Sequence, residues 1–140
     1  MKRFGSFNTV KSGTTKVFNN KSHIDKMYKG EWAEYSVKFL AVNTRCYCCG
    51  GKSEATDHIT VHKGDFELFY SKENHMPLCH RCHNTITGKF DRRLPQKLEE
   101  KLKWVAMNRA RNMLDFPVKV IPFVFESLKT YRLNKISGRG

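Results

Sequence analysis

Four cysteines stand as two Cys-x-x-Cys pairs, Cys46 with Cys49 and Cys79 with Cys82, and between the pairs lies the dipeptide Asp57-His58. His83 follows the last cysteine directly. Each CxxC turn presents two sulfurs to one ion, so the two pairs together suit a tetrahedral structural Zn²⁺ with no coordination position left open. A carboxylate beside an imidazole is a different donor set. It leaves positions free, as a hydrolytic metal requires. The chain therefore offers a metal frame with a second, reactive pair enclosed by it.

Cys48 is the fifth cysteine; Cys46 with Cys49 matches the spacing of the second pair, which leaves Cys48 as the spectator. The odd count, the paired spacing and the lack of an apolar signal core after Met1-Lys2-Arg3 favour reduced thiols on zinc over a disulfide scaffold. A cytoplasmic location is the expectation. The pairs are 29 residues apart, longer than the roughly 15–20 of a common zinc ribbon. A zinc deaminase is excluded. Pro77-Leu78-Cys79-x-x-Cys82 resembles part of that signature, but none of the six histidines has the Glu two residues on that the chemistry needs.

The net charge is +13, and it is unevenly spread. Residues 1–30 carry a net +6, residues 31–91 a net −1 and residues 92–140 a net +8. The cysteine module is nearly neutral and its flanks supply the positive field. A phosphate backbone is the natural partner for such flanks, through Coulomb attraction and counterion release.

Length bounds the chain to one domain with short appendages, divided as a basic arm over 1–27, a core over 28–91 and a basic extension over 92–140. Residues 1–22 are rich in Gly, Ser, Thr, Asn and Lys and read as an irregular arm. Over Glu31 to Val42, Trp32, Tyr35, Phe39 and Leu40 recur at helical spacing, with Trp32 and Tyr35 as core residues. β-branched residues within Ala55 to Val61 suit a short strand that contains Asp57-His58. Phe66 to Tyr70 is a short apolar stretch, and a helix over Cys82 to Gly88 follows the second pair. Strand, loop, strand and helix around one ion is the minimal reading, an α+β class. Residues 95–114 predict the strongest helix, with Pro95 in its first turn and an apolar stripe of Leu98, Leu102, Val105, Ala106, Ala110 and Met113. Lys97, Lys101, Arg109 and Arg111 are its basic remainder. Phe116 to Pro122 reads as extended, and Glu126 to Gly140 as a mobile basic tail.

His58, Asn74 and His83 occur in that order around the cysteine pairs. With Ala55-Thr56-Asp57-His58-Ile59, His62-Lys63-Gly64-Asp65 and Leu78-Cys79-His80-Arg81-Cys82-His83-Asn84, the stretch 28–91 resembles the HNH endonucleases. In particular it is similar to their four-cysteine, zinc-bearing branch, common in bacteriophages and prophages. The resemblance implies a ββα-metal core and hydrolysis of DNA to 5′-phosphate and 3′-hydroxyl ends. One departure is visible: many relatives carry a basic residue and Thr shortly after the last His, where this chain has Ile86-Thr87.

The resemblance also implies roles. His58 is the general base, since an imidazole near neutrality takes a proton from water. Asp57 and His83 hold a catalytic Mg²⁺ or Mn²⁺, while Cys46, Cys49, Cys79 and Cys82 hold structural Zn²⁺. Asn74 pins the loop that orients the base. His62 is a secondary candidate for contact with the scissile phosphate, and His75, His80 and His23 are surface or packing residues. Neighbours on a strand point to opposite faces, so Asp57 and His58 can serve one site only where the strand twists or ends. The partner is double-stranded DNA, and phage packaging or recombination proteins are further partners that the family serves. The competing function is a non-catalytic zinc module that binds nucleic acid.

Overall fold

A computed structural model describes Ile24 and residues 26–136. Its elements run α1 (Glu31–Val42), β1 (Ala55–His58), α2 (Phe66–Tyr70), β2 (His75–Leu78), α3 (His80–Ile86), α4 (Leu98–Arg111) and α5 (Glu126–Ile136). Lys72–Asn74 is a 3-10 turn and Thr87–Asp91 a π-helical one. Five helices and a two-stranded antiparallel sheet among the described residues make an α+β architecture. Among the described residues, no helix is long and apolar enough to cross a membrane.

The small sheet separates two cores. β1 and β2 pair with Asp57 opposite Met76 and His58 opposite His75, and alternate side chains leave opposite faces. One face meets α1: Thr56 Oγ1 lies 2.8 Å from Ser36 Oγ, His58 lies on Trp32, and Tyr35 Oη lies 2.8 Å from His75 Nδ1. The aromatic core there includes Trp32, Tyr35, Phe39, Phe69 and Phe125. The other face meets the cysteine module, where Met76 and Leu78 pack with Cys46, Cys82, Ile86 and Val105. Ile86 is fully buried in this second core.

α1 has the bounds its apolar spacing predicts. Trp32, Tyr35 and Phe39 are buried on one face, and burial of each side chain stabilises by roughly 1.5–3 kcal/mol. Glu31 and Glu34 in the first turn complement the helix dipole. The helix stops at Asn43, whose side chain returns a bond to Phe39 O and a second to Lys119 O. The stretch Phe66–Tyr70 is a helix because the Asp65 carboxylate accepts from the N–H groups of Glu67 and Leu68.

Three expectations are corrected. The predicted helix over 95–114 begins at Leu98, after Pro95, and ends at Arg111. Its buried residues are Lys101 and Val105, whereas Leu102 is 46% and Met113 89% exposed. Only part of the apolar stripe is packed: Val105 joins the cysteine core, while the inward positions on either side of it are Lys101, which reaches the end of β1, and Arg109, which reaches the cysteine turn. Arg109 also belongs inward: it donates to Tyr47 O and Phe116 O and lies over the Tyr47 ring. Finally, the mobile tail is helical over Glu126–Ile136. Its first N–H groups are capped by the Glu31 carboxylate, Arg132 pairs with Glu67 at 3.1 Å, and Phe66 contacts Tyr131. Ile121 and Phe125 join the aromatic core, so the segment that links α4 to α5 packs into the fold. The irregular arm read over 1–22 lies outside the described residues.

Candidate functional site

The thiols form the frame. All four Sγ atoms of Cys46, Cys49, Cys79 and Cys82 lie within 4.8 Å of one another, and Cys49 Sγ is 3.7 Å from Cys79 Sγ. Sulfurs at the corners of a tetrahedron with bonds of about 2.3 Å lie about 3.8 Å apart. The four are thus positioned to hold a metal ion. Gly50 makes the first turn with φ +80°, and a Cβ there would come within 2.9 Å of Arg45 Nη2. Backbone N–H groups of Cys49, Gly51 and Cys82 point at the sulfurs of Cys46, Cys49 and Cys79. Cys79 thereby caps the start of α3.

Cys48 lies outside the cluster but not outside its chemistry. It is fully buried in the same core as Cys46, and its thiol acts as a donor toward the Cys46 sulfur in setting that residue's acidity. That donation leads the causes that hold Cys46 down to about 4, with backbone N–H groups of Cys49, Cys79 and Cys48 adding to it against burial. Cys48 is pushed up in turn, as the donor. Burial pushes Cys49 and Cys82 up, so a metal that binds them displaces protons and binds less well as pH falls.

His58 closes β1 on the aromatic face. It is 7% exposed and stacks on Trp32 with ring centroids 4.8 Å apart. His58 Nε2 lies 3.0 Å from Phe69 O and His75 Nε2 lies 2.8 Å from the same oxygen. A carbonyl only accepts, so both Nε2 atoms carry protons and both Nδ1 atoms hold lone pairs in the neutral rings. Tyr35 Oη donates to His75 Nδ1, which leaves His58 Nδ1 as the basic atom. Burial first, then the positive potentials of His62 and His75, hold His58 well below its ordinary range. This differs from the near-neutral base read from the sequence. The ring is uncharged throughout the neutral range, ready to accept a proton but a weaker base.

Asn74 and His62 hold the surroundings of that ring. Asn74, 9% exposed, accepts from Thr60 N and donates to Thr60 O and Leu68 O, at 2.8, 2.9 and 2.9 Å. It ties the end of β1 to α2, one residue before the Phe69 carbonyl. His62 is 7% exposed, with its ring centroid 4.6 Å from that of His58. Gly64 N donates to His62 Nδ1, so Nε2 is the protonated atom and donates to Tyr28 Oη at 2.8 Å.

Asp57 leaves the opposite face of β1. It is 4% exposed, and its Oδ1 lies 3.4 Å from His83 Nε2 on α3. Cys82 turns toward the thiols and His83, one position on, toward Asp57. Two ligands on adjacent corners of an octahedron lie about 3 Å apart when each is about 2.1 Å from the ion. The Asp57–His83 pair fits a divalent cation in spacing and in donor type. Its bond to Asp57 raises the His83 pKa.

The other Asp57 oxygen faces Lys101. Lys101 Nζ lies 3.1 Å from Asp57 Oδ2 and donates to His58 O, Ile59 O and Asp91 Oδ1 at 2.8, 2.7 and 3.0 Å. An ammonium has three N–H groups. All three are spent, and Asp57 Oδ2 stays buried without a hydrogen bond. Burial, then the Asp57 charge, push Asp91 up to about 6.

Asp57 and His83 are thus brought together across β1 and α3, and His58 and His62 on the other face, where the strand ends. Sequence reasoning missed Lys101 and Asp91; His75, read as a surface or packing residue, is packed in the aromatic core at 1% exposure. Its partner Tyr35 is 40 residues away. No family model, curated protein or solved structure matches the chain.

Proposed function

We propose that this chain is a metal-dependent DNA endonuclease of the HNH type, with a ββα-metal core framed by structural Zn²⁺ on Cys46, Cys49, Cys79 and Cys82. The observation that carries the reading is the placement of three residues around one strand end. Asp57 Oδ1 and His83 Nε2 stand 3.4 Å apart as a ligand pair, and His58 has its Nε2 committed to Phe69 O, which frees Nδ1 for a proton. Mg²⁺ or Mn²⁺ on Asp57 and His83 would supply charge relief to the scissile phosphate and the departing 3′ oxygen. The protein's own groups do the rest. His58 Nδ1 takes the proton of the attacking water. The Phe69 carbonyl fixes the tautomer, Tyr35 through His75 fixes the second donor on that carbonyl, and Asn74 holds the loop that carries it. His62, hydrogen-bonded to Tyr28, flanks the base.

A test is the incubation of end-labelled duplex DNA with the zinc-loaded protein and Mn²⁺. The reading expects ligatable nicks with 5′-phosphate and 3′-hydroxyl ends, lost with EDTA and with Asp57→Ala. Ends that ligase cannot seal would contradict it.

The second reading is a zinc module that binds nucleic acid without cutting it. Burial favours it: His58 and Asp57 are 7% and 4% exposed, and Asp57 is already paired to an internal lysine. It expects DNA retardation in a gel, with no cleavage under any divalent metal.

A further inference from the structure

Four oxygens surround Lys101 Nζ: Ile59 O at 2.7 Å, His58 O at 2.8 Å, Asp91 Oδ1 at 3.0 Å and Asp57 Oδ2 at 3.1 Å. Two carbonyls and two carboxylates are the donor set of a hard cation. Here an ammonium fills it, on a side chain 1% exposed. The cage borders the candidate catalytic pair, because Asp57 belongs to both: Oδ1 to His83 and Oδ2 to the lysine.

The geometry points to Lys101 as a tethered cation that fills a second metal position and confines the site to one exchangeable ion. It rests on the reading of Asp57 and His83 as metal ligands. Two-metal hydrolytic sites place their ions about 3.5–4 Å apart on shared carboxylates, and Asp57 is such a shared carboxylate. A buried carboxylate beside a half-buried one needs compensating charge, and a covalently attached ammonium supplies it at any metal concentration. It also holds Asp57 by its far oxygen, which keeps Oδ1 turned to His83. Since Lys101 is buried, it acts through Asp57 as a positioning residue. Asp91, 16% exposed, is the cage's edge toward solvent and the side from which a free ion would enter.

A lysine that merely anchors α4 to β1 would not change the number of metal ions bound, so that number is the readout. Mn²⁺ is titrated onto the full-length, zinc-loaded protein by calorimetry and electron paramagnetic resonance. The expected result is one Mn²⁺ on the wild type and two on Lys101→Ala, the second spin broadening the first. The double variant Lys101→Ala/Asp91→Asn returns to one. One Mn²⁺ on both wild type and Lys101→Ala would overturn the proposal and leave the Asp57–His83 reading standing. No Mn²⁺ on the wild type would overturn both. A Lys101→Ala protein that is unfolded without added ions is read by its melt: cooperative unfolding restored by millimolar Mn²⁺ supports the cage, and no restoration at any concentration overturns it.

Discussion

Asn74→Ala removes three hydrogen bonds from a side chain that is 9% exposed. Each bond contributes about 1 kcal/mol net, and a buried group left without a partner costs about 1–3 kcal/mol. The Thr60 N–H and O and the Leu68 O are the groups left behind, and water that enters the vacated space recovers part of the loss. The expected destabilisation is about 3 kcal/mol. Asn74→Asp separates hydrogen bonding from packing. It keeps the acceptor for Thr60 N but turns an acceptor toward two carbonyls, so it should cost at least as much as alanine although its volume is nearly unchanged. The assay is urea unfolding of zinc-saturated protein. With a slope of about 2 kcal/mol per molar urea, the midpoint falls by about 1.5 M while the slope stays fixed. The loop freed in these variants carries the Phe69 carbonyl that orients His58, so cleavage should fall even at temperatures where both variants stay folded. Either variant within about 0.5 kcal/mol of wild type would refute the view that Asn74 is the pin of this loop.

The frame predicts that Cys79→Ser loses bound zinc and thermal stability together, seen by metal analysis and melting; an unchanged melting temperature contradicts a structural ion. Acid should weaken the fold through the aromatic face. His75 is held down to about 4, burial being the leading cause, and His58 is lowered as well. The unfolded chain therefore takes up their protons first, so stability is complete above the ordinary histidine value of about 6.5 and is lost as pH falls toward 4. The His75 share is about 3 kcal/mol. His75→Phe should flatten that slope in zinc-saturated melts, and an unaltered slope refutes the assignment. Deletion of residues 126–140 removes Lys129, Arg132, Lys135 and Arg139 and should weaken DNA binding and reduce its log–log salt slope by about 2; a constant slope means that this segment touches no phosphate.

What could be read from the sequence was what local spacing determines. The bounds of α1 follow from Trp32, Tyr35 and Phe39, and the four-sulfur cluster follows from two CxxC turns. What escaped depends on residues far apart in the chain. Apolar counting along α4 places Lys101 on the solvent side, because a charge normally stays wet. Its burial is possible only because Asp57, Asp91 and the carbonyls ending β1 surround it, and those lie 10 to 44 positions away. α5 has no apolar stripe and looks like a tail; its cap is Glu31, 95 residues earlier. The Asp65 cap of α2 was there to be read, directly before an apolar run. The tautomer of His58 was not, since it depends on the Phe69 carbonyl 11 residues on.

The most direct test is relaxation of supercoiled plasmid by wild type and His58→Ala, both zinc-loaded, with matched Mn²⁺ occupancy and matched retardation of DNA in a gel. The expected result is open-circle DNA from wild type alone, abolished by EDTA. Equal cleavage by His58→Ala would contradict the assignment of the base, and retardation by both proteins with no cleavage under Mg²⁺ or Mn²⁺ would contradict the nuclease itself.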